Sequence, residues 1–119
     1  MSGEPQLFSY EVEPEQQGTT ALRLYGELDM AAAPALRSVL HEVQHGGSDE
    51  VVVDLRGLSF LDSMGLSALL EAHNAGRDGH QEVSFMRGNR SVQRVFATTD
   101  VDRRVTWVEP ERPDDAVPV

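Results

Sequence analysis

The sequence of 119 residues contains no cysteine and no lysine, and no apolar run approaches the roughly 18 residues of a membrane-spanning helix. Without cysteine, disulfides and thiolate metal sites are excluded. Without lysine, a phosphate-binding P-loop and Schiff-base chemistry are excluded. No apolar signal segment follows Met1. The length fits one domain, and we expect a soluble, cytoplasmic protein.

Basic residues are also few. Ten arginines stand against twenty acidic residues, which gives a formal net charge of −10. The acidic residues are densest at the two ends of the chain, in residues 1–17 and 109–119. This balance disfavours nucleic acid as a ligand, because phosphate binding needs a basic stripe. It serves solubility or fits a basic protein partner.

Apolar residues alternate along Leu7–Val12 and Ala21–Leu28 and predict two strands that pair antiparallel across a short turn. A helical stripe then begins near Pro34, which suits the first turn of a helix. Ala33, just before it, offers no capping oxygen, so the start of this helix is weakly specified.

In the second half of the chain, predicted strands and helices alternate. The continuous apolar run Val51–Leu55 predicts a strand covered on both faces. A helix over Leu66–Ala75, a strand over Val83–Met86, a helix capped by Asn89 and a strand over Val105–Val108 complete the order. The result is an α/β domain with a mixed sheet, with the antiparallel strand pair at its N-terminal side and helices packed on it.

The junction Asp62-Ser63-Met64-Gly65 lies where a strand leads into a helix. A serine at the amino end of a helix sits where free backbone N–H groups and the helix dipole favour an added phosphate. Asp62 or Ser63 can instead simply cap the helix, and a capping hydroxyl can also be a phosphorylation site. Gly65 allows close approach by another chain.

Several kinds of enzyme and metal site find no support. Asp54 ends a strand as does the phospho-acceptor of response-regulator receivers, but the paired acids and the lysine of that site are missing. The four histidines offer no third ligand for a metal, and His73 on an apolar stripe is expected to be partly buried by packing. Neither Gly-x-Ser-x-Gly nor Gly-x-Gly-x-x-Gly occurs. We therefore predict no catalytic residue, no metal and no cofactor.

Three arginines cluster around the predicted third helix: Arg87, Arg90 and Arg94. Two interpretations stay open for them, a solvated helix face and a contact with a partner.

Four segments together resemble the STAS family, in particular the small bacterial anti-sigma factor antagonists, over about residues 7–108. They are Gly26-Glu27-Leu28-Asp29, Ala33-Pro34-Ala35-Leu36-Arg37, Val52-Val53-Asp54-Leu55 and Phe60-Leu61-Asp62-Ser63-Met64-Gly65-Leu66. The family usually closes with an apolar helix. Here that place holds an acidic, proline-rich segment, so we expect a STAS-like domain over residues 1–109 and a disordered tail over residues 110–119.

The resemblance implies a binding protein rather than an enzyme. Such a protein binds an anti-sigma factor, usually a serine kinase, while its serine is unphosphorylated, and releases it when phosphorylated; a serine phosphatase restores the first form. That serine corresponds to Ser63, and the implied partner-binding residues are Asp29, Asp62, Ser63, Met64 and Gly65. Asp29 is expected to be exposed, with no partner in the fold. The alternative is a STAS interaction module that is never phosphorylated, in a stress-sensing complex or as a lipid-transport accessory subunit.

Overall fold

Five strands form one sheet in the order β1-β2-β3-β4-β5 in the computed structural model, which describes residues 7–14 and 17–110. The strands are β1 Ser9–Pro14, β2 Thr19–Leu28, β3 Glu50–Leu61, β4 Glu82–Met86 and β5 Thr106–Val108, and the helices are α1 Ala33–Gln44, α2 Ser63–Asp78 and α3 Arg90–Thr98. β1 pairs antiparallel with β2, and all later pairings are parallel. The predicted α/β class and the antiparallel strand pair are confirmed.

The three helices pack on one face of the sheet. Each connects two neighbouring parallel strands, and right-handed crossovers taken in the same direction place all of them on the same side. Alternate residues of the strands are fully buried there, beginning with Leu22, Leu24 and Leu28 of β2, as their spacing predicts. The same cluster contains Val51, Val53, Leu55, Val83, Phe85, Leu36, Leu40, Leu66, Leu69, Val92 and Phe96.

The opposite face of the sheet is covered by polar side chains. Arg56 donates from Nε to Asp54 Oδ1 at 3.0 Å and from Nη2 to Asp54 Oδ2 at 2.9 Å, and Arg23 pairs with Glu13. The hydrogen bond that Tyr25 donates to Glu11 raises the pKa of that phenol. The predicted cover on both faces of Val51–Leu55 is confirmed, although on one face it consists of charged side chains: Asp54 is buried there beside Arg23 and Arg56.

β3 is longer than the sequence predicted and reaches Leu61. Four of its last five residues still pair with β2, with a register shift at Ser59. On its other side Asn89 Nδ2, at the start of α3, donates to the carbonyl of Leu58 at 3.1 Å. α2 begins at Ser63 rather than at Leu66. Consequently only Asp62 separates the strand from the helix, and Ser63 is fixed by regular structure on both sides.

The C-terminal part confirms the predicted Asn89 cap and the predicted last strand, which the structure gives as Thr106–Val108. Asn89 caps α3 by accepting from the Val92 N–H at 2.9 Å. Trp107 of β5 packs edge-on against Phe96, with ring centroids 5.0 Å apart. The predicted tail lies outside the described residues from position 111 onward. Of the helices that the structure describes, none is long and apolar enough to cross a membrane.

Candidate functional site

The loops that follow β2 and β3 meet at one edge of the sheet. The carboxyl ends of parallel neighbouring strands lie at the same edge, and ligands of open α/β sheets bind there. Leu28 and Leu61 are register partners at the ends of these strands. The loop containing Asp29 and Met30 therefore lies beside the junction that contains Asp62, as the resemblance implied for Asp29 and Ser63.

Asp62 joins the loop after β2 to the start of α2 through both of its carboxylate oxygens. Its Oδ1 accepts from the Gly65 N–H at 2.9 Å, which caps α2, and its Oδ2 accepts from the Met30 N–H at 2.9 Å. Its own N–H donates to the Leu28 carbonyl at 3.1 Å. The aspartate is therefore the cap that the sequence left undecided, and it also fixes the neighbouring loop.

Ser63 is the first residue of α2, and its side chain is exposed. Across the described part of the chain its hydroxyl has no hydrogen-bond partner, and the N–H groups of Ser63 and Met64 likewise have no acceptor. Gly65 and Leu66, the next two donors, are bonded to Asp62. The corner thus presents a free hydroxyl and two free donors at a helix amino end, where negative charge is favoured.

Asp29 has a role in the fold that the sequence did not predict. It is half-buried, and its Oδ1 accepts from the Ala32 N–H at 3.0 Å while its carbonyl accepts from Ala32 and Ala33. The expectation that Asp29 has no partner in the fold is wrong. The carboxylate and carbonyl of Asp29 form a turn that leads into α1, while the cap residue Ala32 makes no side-chain hydrogen bond.

Gly65 is buried, and its missing side chain makes room for the same chain. A Cβ at this position would come within 2.7 Å of Leu28 Cγ, 2.8 Å of the Leu28 carbonyl oxygen and 2.9 Å of Leu61 Cδ1. This differs from the expectation that Gly65 is open to another chain. Its contribution to a binding surface is indirect, because it seats the first turn of α2 against the ends of β2 and β3.

Large apolar side chains are exposed around the same corner. Met30 is 67% exposed, Phe60 44% and Met64 42%. Met64 was predicted from the sequence, whereas Met30 and Phe60 were not. Met30 lies in the loop after β2 and Phe60 lies in β3, so nothing in the sequence pattern groups them. They belong to one surface because Asp62 bonds to the Met30 N–H. We call Met30, Phe60, Ser63 and Met64 the Ser63 corner.

The other polar candidates of the sequence stay apart from the Ser63 corner. Asp54 is buried beside Arg56 on the face of the sheet opposite the helices. His73 packs near Phe85, with centroids 6.4 Å apart, as predicted, and its Nδ1 is buried without a partner. Among residues 7–14 and 17–110, no group of three histidines or acids could hold a metal ion.

Comparison with known proteins gives consistent results. A family model described as "Mlab, STAS domain" matches residues 12–109. The anti-sigma-B factor antagonist of Staphylococcus aureus is 27% identical over 78 residues, which are 66% of this chain and 72% of that protein.

Solved structures agree in fold. The crystal structure of an anti-sigma factor antagonist from Mycobacterium paratuberculosis has a TM-score of 0.78 at 25% identity and covers 94% of this chain and 92% of its own. The phosphorylated form of the Bacillus cell fate determinant SpoIIAA has a TM-score of 0.69 at 18% identity and covers 90% of this chain and 96% of its own.

Proposed function

The chain belongs to the STAS domain family, and from this premise we propose that it is an anti-sigma factor antagonist. It binds an anti-sigma factor of the serine-kinase type while Ser63 is unphosphorylated and releases it once Ser63 carries a phosphate. It is a binding protein of the cytoplasm rather than an enzyme, and it acts on transcription without touching nucleic acid. Relatives bearing the name anti-sigma factor antagonist support this proposal.

The observation that carries the proposal is the position of the Ser63 hydroxyl. It is exposed, has no structural hydrogen bond in the described chain and is held by a helix that Asp62, not Ser63, caps. A kinase can therefore reach the hydroxyl without unfolding anything. Oγ attacks the γ-phosphorus of ATP, the bond to the β-phosphate oxygen breaks, ADP leaves, and the hydroxyl proton passes to a base of the kinase. A serine phosphatase reverses the modification by hydrolysis.

The fold tolerates the resulting dianion. The free N–H groups of Ser63 and Met64 and the helix dipole stabilise negative charge here by about 0.3–1 kcal/mol, while the neighbouring Asp62 carboxylate opposes part of this. The same dianion is strongly hydrated and lies beside the exposed side chains of Met30, Phe60 and Met64. A partner that covers these apolar side chains must desolvate the phosphate, which costs affinity.

In this proposal the partner contacts the Ser63 corner, whose shape Asp29 and Asp62 set. Met30, Phe60 and Met64 supply apolar area, as binding sites usually have at their centre. Asp29 and Asp62 fix the loops that present them, and Gly65 fixes the helix. The partner-binding residues inferred from sequence thus divide into contact residues, Ser63 and Met64, and residues that position them.

A second candidate is an interaction module in which Ser63 stays unmodified, in a stress-sensing complex or a lipid-transport assembly. One observation favours it: Asp62 alone completes the cap and the loop contact, so the Ser63 corner needs neither the hydroxyl nor a phosphate to be a formed surface.

Phosphorylation and binding titrations separate the two candidates. After incubation with the cognate kinase-type anti-sigma factor and ATP, mass spectrometry should find phosphate on Ser63 and not on Ser91, which is exposed in the first turn of α3. Ser63→Ala should bind the partner and resist phosphorylation. Ser63→Asp should bind at least about tenfold more weakly, a loss of about 1.4 kcal/mol.

Ser38→Asp is the matched control, since Ser38 is a serine of α1, away from the Ser63 corner. It should bind like the wild type. Phosphate on another residue, or equal binding by Ser63→Asp and the wild type, would reject the switch and leave the interaction module.

A further inference from the structure

A basic surface lies on α3 and on the loop before it, in a chain whose net charge is −10. It consists of Arg87, Arg90 and Arg94, which we call the α3 arginine row. All three side chains are exposed or half-exposed, and no acidic residue occurs between Glu82 and Asp100. The row is therefore a local concentration of positive charge in a strongly acidic protein.

These arginines have no ionic partner in the part of the chain that the structure describes. The ion pairs found there engage Arg23, Arg37, Arg56 and Arg103. Arg90 and Arg94 lie four residues apart on one helix, a spacing at which like charges oppose helix stability. Within residues 7–14 and 17–110 no ion pair uses the charge of the row.

Arg87 is held in place by an aromatic ring. Its Cζ lies 4.5 Å from the centroid of the Trp107 ring, within the range of a cation–π interaction. The ring in turn is fixed by Phe96 and by a hydrogen bond from Trp107 Nε1 to the Asp102 carbonyl at 2.9 Å. A guanidinium ordered in this way loses less entropy when it binds a carboxylate.

The row starts beside the second half of β3, the part of that strand that leads to the Ser63 corner. Arg87 directly follows β4, whose last residue, Met86, is the register partner of Asp54 in β3. Asn89, between Arg87 and Arg90, is bonded to the Leu58 carbonyl of β3, five residues before Ser63. A protein that covers the Ser63 corner and extends along β3 as far as Leu58 therefore reaches the start of α3 at Arg90.

We infer that the α3 arginine row binds an acidic segment of the protein partner that docks on the Ser63 corner; this inference rests on the proposed function. Three guanidiniums match a few carboxylates in bidentate pairs. Nucleic acid and anionic membranes fit less well, because they carry extended negative charge that meets the net −10 of the whole protein as well as the row. A short acidic segment meets the row alone.

The test compares two variants with the same change in net charge. The row variant carries Arg87→Gln, Arg90→Gln and Arg94→Gln. The control variant carries Arg37→Gln, Arg77→Gln and Arg104→Gln, three exposed or half-exposed arginines outside the row. Calorimetric titration with the anti-sigma factor should give a Kd about tenfold weaker for the row variant and within about twofold of wild type for the control. The salt dependence of Kd should also fall in the row variant alone.

A second arm does not depend on the proposed function. Trp107 is the only tryptophan in the chain, so its fluorescence reports on Arg87. Titration with a hexaglutamate peptide at low salt should change this emission in the wild type and the control, and not in the row variant. Equal anti-sigma binding by wild type and row variant would overturn the inference and leave the proposed function standing.

If the wild type does not bind the anti-sigma factor, the proposed function fails and the peptide arm decides. A fluorescence change on peptide addition that requires the row then supports an acidic ligand for the row. If the peptide causes no such change, the inference is overturned. Tighter binding of duplex DNA or of anionic lipid vesicles than of the peptide, lost in the row variant, would also overturn it.

Discussion

The carboxylate of Asp62 accepts a hydrogen bond from the backbone N–H of Met30, with Oδ2 and N 2.9 Å apart. The two residues are 32 positions apart in sequence and belong to loops after different strands. Because the other oxygen of the same carboxylate caps α2, one side chain sets both the start of the helix and the position of the loop. The Ser63 corner is thus a consequence of tertiary contact rather than of either loop alone.

Replacing Asp62 should therefore destabilise the fold. In Asp62→Ala the cap is lost, which costs about 1 kcal/mol, and the Met30 N–H loses a charged acceptor, which costs about 1 kcal/mol more. Urea unfolding should show a free energy of unfolding lower by about 2 kcal/mol. Asp62→Asn, which keeps one carbonyl acceptor, should fall between Asp62→Ala and the wild type. Ser63→Ala should stay within about 0.5 kcal/mol of the wild type, and equal losses for Asp62→Ala and Ser63→Ala would show that Asp62 is not the cap.

Gly65→Ala tests the packing under the helix start. The new Cβ would overlap both side-chain and backbone atoms of Leu28 and the side chain of Leu61. Overpacking of this kind costs about 1–3 kcal/mol, measurable as a lower melting temperature. Gly79→Ala is the comparison, because the nearest atom there lies at an ordinary 3.4 Å. A Gly65→Ala protein as stable as Gly79→Ala would show that the first turn of α2 is not seated against the strands.

Asp29→Ala should affect both stability and binding. Loss of the oxygen that accepts from Ala32 should lower the free energy of unfolding by about 1 kcal/mol. Asp29→Ser should recover part of this, since a serine oxygen can cap the same turn. Titration with the anti-sigma factor at a temperature where both variants are folded then isolates the effect on binding. If Asp29→Ala has the same free energy of unfolding as the wild type, Asp29 does not stabilise the fold and can act only by contacting the partner.

The pair between α1 and α2 predicts a pH dependence. Arg37 donates two hydrogen bonds to Glu71, each 3.0 Å long, and this lowers the pKa of the Glu71 carboxyl below its usual value. A depressed carboxyl pKa contributes stability that is present above the unfolded-state value of about 4.3 and is lost as the pH falls through the folded-state pKa. Glu71→Gln should thus melt slightly below the wild type at neutral pH.

That difference should disappear on acidification, and melting curves between about pH 7 and about pH 3 follow it. The effect is small because Glu71 is 60% exposed and Arg37 is 38% exposed. Glu42→Gln, which removes an exposed carboxylate of α1 with no ion pair in the described chain, should show no such trend. A gap between Glu71→Gln and wild type that widens in acid would contradict a lowered pKa for the Glu71 carboxyl.

Periodicity was enough to predict the order of the elements, because alternation along β2 and the stripe of α3 are local properties of the sequence. It failed where tertiary contacts decide. The second half of β3, from Arg56 to Leu61, mixes glycine, serine and charge, and it is a strand because β2 and α3 flank it. The turn that Asp29 forms before α1 was missed for a similar reason, since its carboxylate bonds to the Ala32 N–H and not at a usual cap position.

The candidate site was predictable in part. Ser63 and Asp62 follow from a strand–helix junction and from the family resemblance. Their different roles do not, because either side chain can cap a helix, and the choice depends on a second donor supplied by Met30. The exposure of Phe60 also could not be read from sequence, since a phenylalanine in a strand is more often buried.

Because Asp62, and not Ser63, caps α2 and fixes the loop that contains Met30, mutations at position 63 can change the protein's regulation without changing its fold. The residue that the proposed kinase modifies is not among those that shape the surface, so a single codon change at position 63 can abolish regulation while the docking surface and the fold persist. Duplicated copies of such a gene can then diverge into a responsive form and a permanently active form without passing through an unfolded intermediate. The serine can thus be replaced without loss of the fold, whereas replacement of the aspartate beside it removes two hydrogen bonds.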